Sequence, residues 1–128
     1  MPGCVLRASG SSFSPAEFLA LFPGATISTR GGTLIAPVSA CDGGDFGGQV
    51  HDAIAYLEIH EQAVQGLLGH PDTHANLDFG VWCKDVFSQS SLFPKELVML
   101  AGALGLGLEV SMYAAPNQSF KADGCAAA

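Results

Sequence analysis

The chain has 128 residues, 5 of them Lys or Arg and 12 Asp or Glu, for a formal net charge of -7. Its length fits one domain, and 48% hydrophobic against 13% charged residues exclude a body that is intrinsically disordered. Five scattered cations cannot supply the phosphate contacts that dominate nucleic-acid binding, so no nucleic-acid partner is expected.

No apolar run approaches the roughly 18 residues that span a bilayer, so no membrane partner is expected. Met1-Pro2-Gly3-Cys4 lacks the basic start and apolar stretch of a signal peptide, which points to a cytoplasmic protein. The cysteines fall at 4, 41, 83 and 125 with no C-x-x-C spacing, so reduced thiols are expected rather than a zinc ribbon or a redox pair.

In chain order, Cys4 to Gly10 alternates as a strand. Ser14-Pro15-Ala16-Glu17 reads as a capping box, with Phe13 and Phe18 as its hydrophobic staple, and predicts a helix that buries Phe18, Leu19, Leu21 and Phe22 before Pro23-Gly24 stops it. Thr26 to Arg30 and Thr33 to Ala36 around Gly31-Gly32 predict a hairpin. Cys41 to Gly48 reads as a mobile, glycine-rich connector. Helical spacing then runs unbroken from Gln49 to Leu68.

Ala75 to Cys83 predicts a strand with Leu77, Phe79, Val81 and Cys83 on one face and Asn76, Asp78, Gly80 and Trp82 on the other. Lys84 to Leu92 is a polar connection, and Lys95 to Leu104 a helix opened by Pro94 and closed by Gly105. The last strand presents Leu106, Leu108, Val110 and Met112 to the core and Glu109, Ser111 and Tyr113 away from it. The order β-α-β-β-α-β-α-β implies an α+β two-layer sandwich in a ferredoxin-like variant: a mixed, mainly antiparallel sheet with helices on one face. Residues 1–114 form the single domain, with 115–128 a frayed tail.

The candidate chemistry is thin. His60-Glu61 opens like a zinc-protease helix, but Val64 stands where the second imidazole is needed, so His60 reads as a core-edge residue. His70, Asp72 and His74 form the one cluster with metal-ligand character, although Pro71 prevents the helix that would align them. The connector lacks a P-loop lysine, and Asp42 and Asp45 would repel a phosphate. No G-x-S-x-G elbow is present, and Cys41 with His51 is the only conceivable nucleophile pair. No catalytic set, resident metal or cofactor is therefore expected.

Leu77-Asp78-Phe79-Gly80-Val81, Val86 to Gln89, Phe93-Pro94-Lys95-Glu96-Leu97 and Leu104 to Tyr113 together make residues 77–113 resemble the ending of a bacterial domain-of-unknown-function family, number 4279. The resemblance implies a small bacterial α+β domain and transfers no catalytic residue. It further implies kinship with proteins encoded beside toxin genes as presumed immunity proteins.

Acidity without a catalytic set suits capture of a basic protein partner, for example a basic toxin domain, because opposite potentials speed association. The residues expected to bind it are Asp42 and Asp45 in the connector, Asp72 after the long helix, Asp85 after the Trp82 strand, and Trp82 as aromatic anchor. Two alternatives stand beside this reading: a small metal-dependent enzyme using the His70–His74 loop, and a homo-oligomeric structural protein. The chain itself is expected to be a monomer or a homodimer.

Overall fold

A computed structural model of the protein describes residues 3–28 and 32–114; the expected tail, 115–128, and the hairpin tip lie outside the described residues. The strands are β1 (Cys4–Gly10), β2 (Thr26–Ile27), β3 (Leu34–Ser39), β4 (Thr73–Cys83) and β5 (Gly107–Ala114). The helices are α1 (Phe46–Ile59), α2 (Glu61–Leu68) and α3 (Lys95–Leu104). One sheet runs in the order β2-β3-β1-β4-β5, antiparallel throughout except for the parallel β4–β5 pair. This is the expected α+β sandwich with a mixed, mainly antiparallel sheet.

Because β1 is antiparallel to both its neighbours, β3 and β4 are parallel to one another, joined through α1 and α2 with β1 between them. That is a split βαβ unit, the element a ferredoxin-like arrangement is built from. β4, α3 and β5 add an ordinary βαβ crossover at one edge.

The two faces of the sheet differ as strand alternation requires. Cys4, Leu6, Ala8, Leu34, Ala36, Leu77 and Phe79 are buried in one core with Ala53, Leu57, Val64, Leu67, Leu97 and Ala101 of the three helices. The opposite face carries Val5, Arg7, Asn76, Trp82 and Tyr113. At its centre Asp78 is only 4% exposed, held by the Arg7 guanidinium at 2.9 and 3.3 Å and by the Ser111 hydroxyl at 2.7 Å. One buried carboxylate thus cross-links β1, β4 and β5.

Three local expectations are corrected. The Ser14 helix is instead two short 3-10 turns, Pro15–Glu17 and Leu19–Leu21, and the Ser14 side chain makes no capping bond. Phe13 does stack on Phe18 with ring centroids 5.5 Å apart, and Phe18 and Phe22 are buried, while Leu19 and Leu21 are exposed. So short a segment gains little from helix formation itself, and anchoring its phenylalanines decides the backbone.

The helix from Gln49 to Leu68 begins earlier, at Phe46, and is divided at His60, whose ψ of 24° turns the chain between α1 and α2. No Pro or Gly marks the break. The His60 ring lies 4.4 Å from Tyr56 and 6.4 Å from Phe22, the core-edge position expected of it, so a tertiary contact accompanies a bend that periodicity does not register. Of the residues expected on the core face of the last strand, Leu106, just ahead of β5, is buried and Leu108 packs on the core, but Val110 and Met112, on the outermost strand, are exposed.

Thr26–Ile27 of β2 pairs antiparallel with Leu34 and Ile35 of β3, and the Ser28 amide donates to the Thr33 carbonyl at 2.8 Å; β3 runs past the expected Ala36 to Ser39. α3 has the expected bounds. Gly105 ends it at φ 84°, a left-handed conformation in which a Cβ is strained. Gly105→Ala is therefore expected to cost about 1 kcal/mol, read as a lower urea midpoint at unchanged slope.

Candidate functional site

Because β3, β4 and β5 run in the same direction, their carboxyl ends emerge at one end of the sheet. The connector after β3 and the loop after β4 begin there, side by side, which is where open sheets with parallel strands tend to place binding residues.

The connector is pinned rather than mobile, correcting the sequence expectation. Gln49, on the first turn of α1, is fully buried, and its amide nitrogen donates to the carbonyls of Cys41 at 3.2 Å, Asp42 at 3.2 Å and Gly80 at 2.8 Å. The Trp82 amide donates to the Gly43 carbonyl at 3.2 Å. Gly48 packs where a Cβ would come within 2.8 Å of the Cys41 sulfur, so a side chain there would push the connector away. At Gly48 glycine serves close approach.

On this base the Trp82 indole N–H donates to the Asp42 carboxylate at 2.7 Å, a charge-assisted bond that fixes both side chains. Trp82 is half-buried on the helix-free face, and its register neighbour on that face is Tyr113 of β5, which is exposed. Gln89 steadies the loop beyond by donating to the Trp82 carbonyl at 2.8 Å and accepting from the Lys84 amide at 2.9 Å. Asp85 and Phe87 are exposed on that loop. An acid-and-aromatic surface results at the carboxyl end of the sheet.

Of the five residues singled out in the sequence, Asp42 and Trp82 are in contact and Asp85 follows three residues later. Asp45, half-buried, is the N-cap of α1 and accepts the Gly48 amide at 2.9 Å, so one of its carboxylate oxygens is engaged by the helix. Asp72 precedes the other end of β4. Ten residues of strand separate it from Trp82, about 33 Å at 3.3 Å per residue, so it cannot belong to the same small surface. It adopts φ 56° and its carboxylate accepts the Ser11 hydroxyl at 3.4 Å.

The histidine loop does not assemble a metal site: among the described residues no three His, Cys, Asp or Glu side chains converge as ligands. His70 sits edge-on to Phe13 and Phe18, 6.4 and 5.7 Å from their centroids, with Nε2 3.9 Å from Glu17. His74 is exposed in β4, opposite Ser9.

Cys41 and His51 both neighbour Asp52. The Ser39 hydroxyl donates to the Asp52 carboxylate at 2.7 Å, the Cys41 thiol lies 3.7 Å from the same oxygen, and His51 Nδ1 is 3.8 Å from the other. A carboxylate is the wrong partner for a nucleophilic thiolate, which cations and helix N-termini favour. Deeper in, burial pushes the Cys4 thiol up, with Asp78 and Asp52 adding to it, and the Tyr56 hydroxyl is pushed up to about 12, again by burial first. Both groups stay protonated near neutrality.

Sequence reasoning missed Gln49 and Tyr113. Gln49 reads as an ordinary polar residue opening a helix. Tyr113, one of two tyrosines, stood in the expected outward row of β5, but nothing local pairs it with Trp82.

Comparison with protein-family models, with curated proteins and with solved structures yielded no significant match.

Proposed function

We propose that the chain is a non-catalytic binding protein, most concretely an immunity-type inhibitor that neutralises a bacterial toxin by direct contact, and that it docks through the carboxyl end of its sheet. The observation that carries this reading is the Trp82–Asp42 bond. It holds a large aromatic beside an acid on a surface already pinned by Gln49, so little side-chain freedom remains to be lost on binding. Asp85 adds a second carboxylate nearby in the chain, and the overall charge of -7 favours encounter with a basic partner. The toxin part of the proposal rests on the resemblance of residues 77–113 to the family numbered 4279.

The test is co-expression with the product of the neighbouring gene, followed by titration of the purified pair. Growth rescue and direct binding are expected, and a neighbour that is harmless alone, or stays toxic in the presence of this protein, overturns the toxin reading. Asp42→Asn combined with Asp85→Asn is expected to weaken binding at least tenfold, about 1.4 kcal/mol, and to flatten its salt dependence. Asn at 42 still accepts the Trp82 N–H, so the fold is retained. Unchanged affinity in that variant removes this surface as the docking site.

A further inference from the structure

The two edges of the sheet are treated differently. β2 is two residues long, the kind of blunted edge that resists pairing. β5 is eight residues long and lies outermost on the other side, and every second residue turns its N–H and C=O outward. It contains none of the Lys or Pro residues that ordinarily protect an edge. Its single charge, Glu109, accepts a hydrogen bond from Asn76 of β4 and so is drawn back over the sheet.

Exposed apolar side chains accompany this edge. Val110 and Met112 are 38% and 57% exposed on the strand, and Val98 and Met99 are 46% and 70% exposed on α3, the helix that crosses over to it. From Leu97 to Ala114 the sole charged residue is Glu109.

We infer that β5 is a self-association edge, at which a second copy of this chain adds its own β5 antiparallel to form one continuous ten-stranded sheet. Charge selects the occupant. Two molecules of -7 repel wherever their acids meet, and residues 97–114 are a long stretch with almost none, whereas a basic partner has nothing to pair with there. The register is self-compatible. Pairing centred on Val110 or on Ser111 sets Glu109 opposite Ser111 or Tyr113, never opposite its own mate. A two-fold axis perpendicular to the sheet keeps both helix layers on one side, so Val110 and Met112 continue a single apolar row across the junction and the two α3 helices face each other over it.

The experiment is sedimentation of the full-length protein over a range of concentrations, with Val110→Lys/Met112→Lys alongside. Wild type is expected at twice the 13.1 kDa chain mass, and the variant at the single-chain mass with unchanged circular dichroism, since both side chains lie outside the buried core. Hydrogen exchange at alternate amides of β5 is expected to slow as wild type associates and to stay fast in the variant. A wild-type protein that remains at single-chain mass at all concentrations overturns the inference, as does a dimer that survives both lysines. Slow exchange at β5 in a monomer overturns it too, because the edge is then covered by something other than a second copy. Of the carboxyl-end surface only Tyr113 lies on this edge. Val110→Lys/Met112→Lys leaves Asp42, Trp82 and Asp85 untouched, so a monomeric variant that still binds the partner separates the failure of self-association from that of partner binding.

Discussion

Replacing Phe79 with Ala is expected to destabilise the protein by about 3–5 kcal/mol, read as a lower urea midpoint at unchanged slope. Phe79 is completely buried in β4. Its ring centroid lies 5.6 Å from Phe46 and 5.2 Å from Phe93, which are themselves 5.4 Å apart. Phe46 is the first residue of α1 and Phe93 stands two residues before α3, so one ring joins the sheet to the entries of two helices. Its backbone pairs with Cys4 on one side and Val110 on the other, which leaves the surroundings little freedom to collapse into the cavity. A small domain typically has about 5–15 kcal/mol in total, so this variant sits close to unfolding. Phe79→Leu, which keeps most of the volume, is expected to lose less than half as much. Equal midpoints for Phe79→Ala and wild type would refute the central role of this triangle.

The second large effect concerns Gln49. Gln49→Glu is nearly isosteric, yet it replaces an N–H donor with an acceptor facing three carbonyl oxygens in a fully buried place. A loss of about 2–4 kcal/mol is expected at neutral pH. Burial and the carbonyls raise the introduced carboxyl above its unfolded value near 4.3. The folded state then binds more protons than the unfolded one between those two values, so stability falls as pH rises through that interval. The variant should be nearest to wild type below about pH 4 and furthest from it above the folded value. Gln49→Leu should show a loss of similar origin without this pH dependence. In both variants faster exchange is expected at the Trp82 amide, which bonds to Gly43 of the connector. A pH-independent difference between Gln49→Glu and wild type would sink this account.

These two residues also mark how far local sequence carries. α3 was legible to the residue because both its ends have their own chemistry, Pro94 before it and Gly105 after it. Phe79 was legible as core from strand alternation alone. The capping box at Ser14 failed because it states a local preference, and the segment is governed by where Phe13, Phe18 and Phe22 can be buried. The division at His60 has no local marker.

At the candidate site, Asp42 and Trp82 were identifiable separately, as an acid in a connector and an exposed-face aromatic. Their contact spans 40 positions and leaves no trace in spacing. The connector looked flexible because it holds four glycines. It is held by Gln49, whose role depends entirely on which carbonyls the fold brings to it.

The placement of β1 has a consequence for how the chain folds. The strand nearest the N-terminus lies in the middle of the sheet, and its second neighbour is some seventy residues away, as Cys4↔Phe79 and the Arg7–Asp78 ion pair record. During synthesis β1 can meet β3 early, but that two-sided edge stays open until β4 has emerged. Pairing at such separation must overcome loop closure before any contact rewards it, which slows folding. Until then Leu6 and Ala8 lie on an incomplete sheet, the kind of intermediate that is prone to aggregate. Yield in cells should accordingly respond more to temperature and chaperone supply than the stability of the finished fold would suggest.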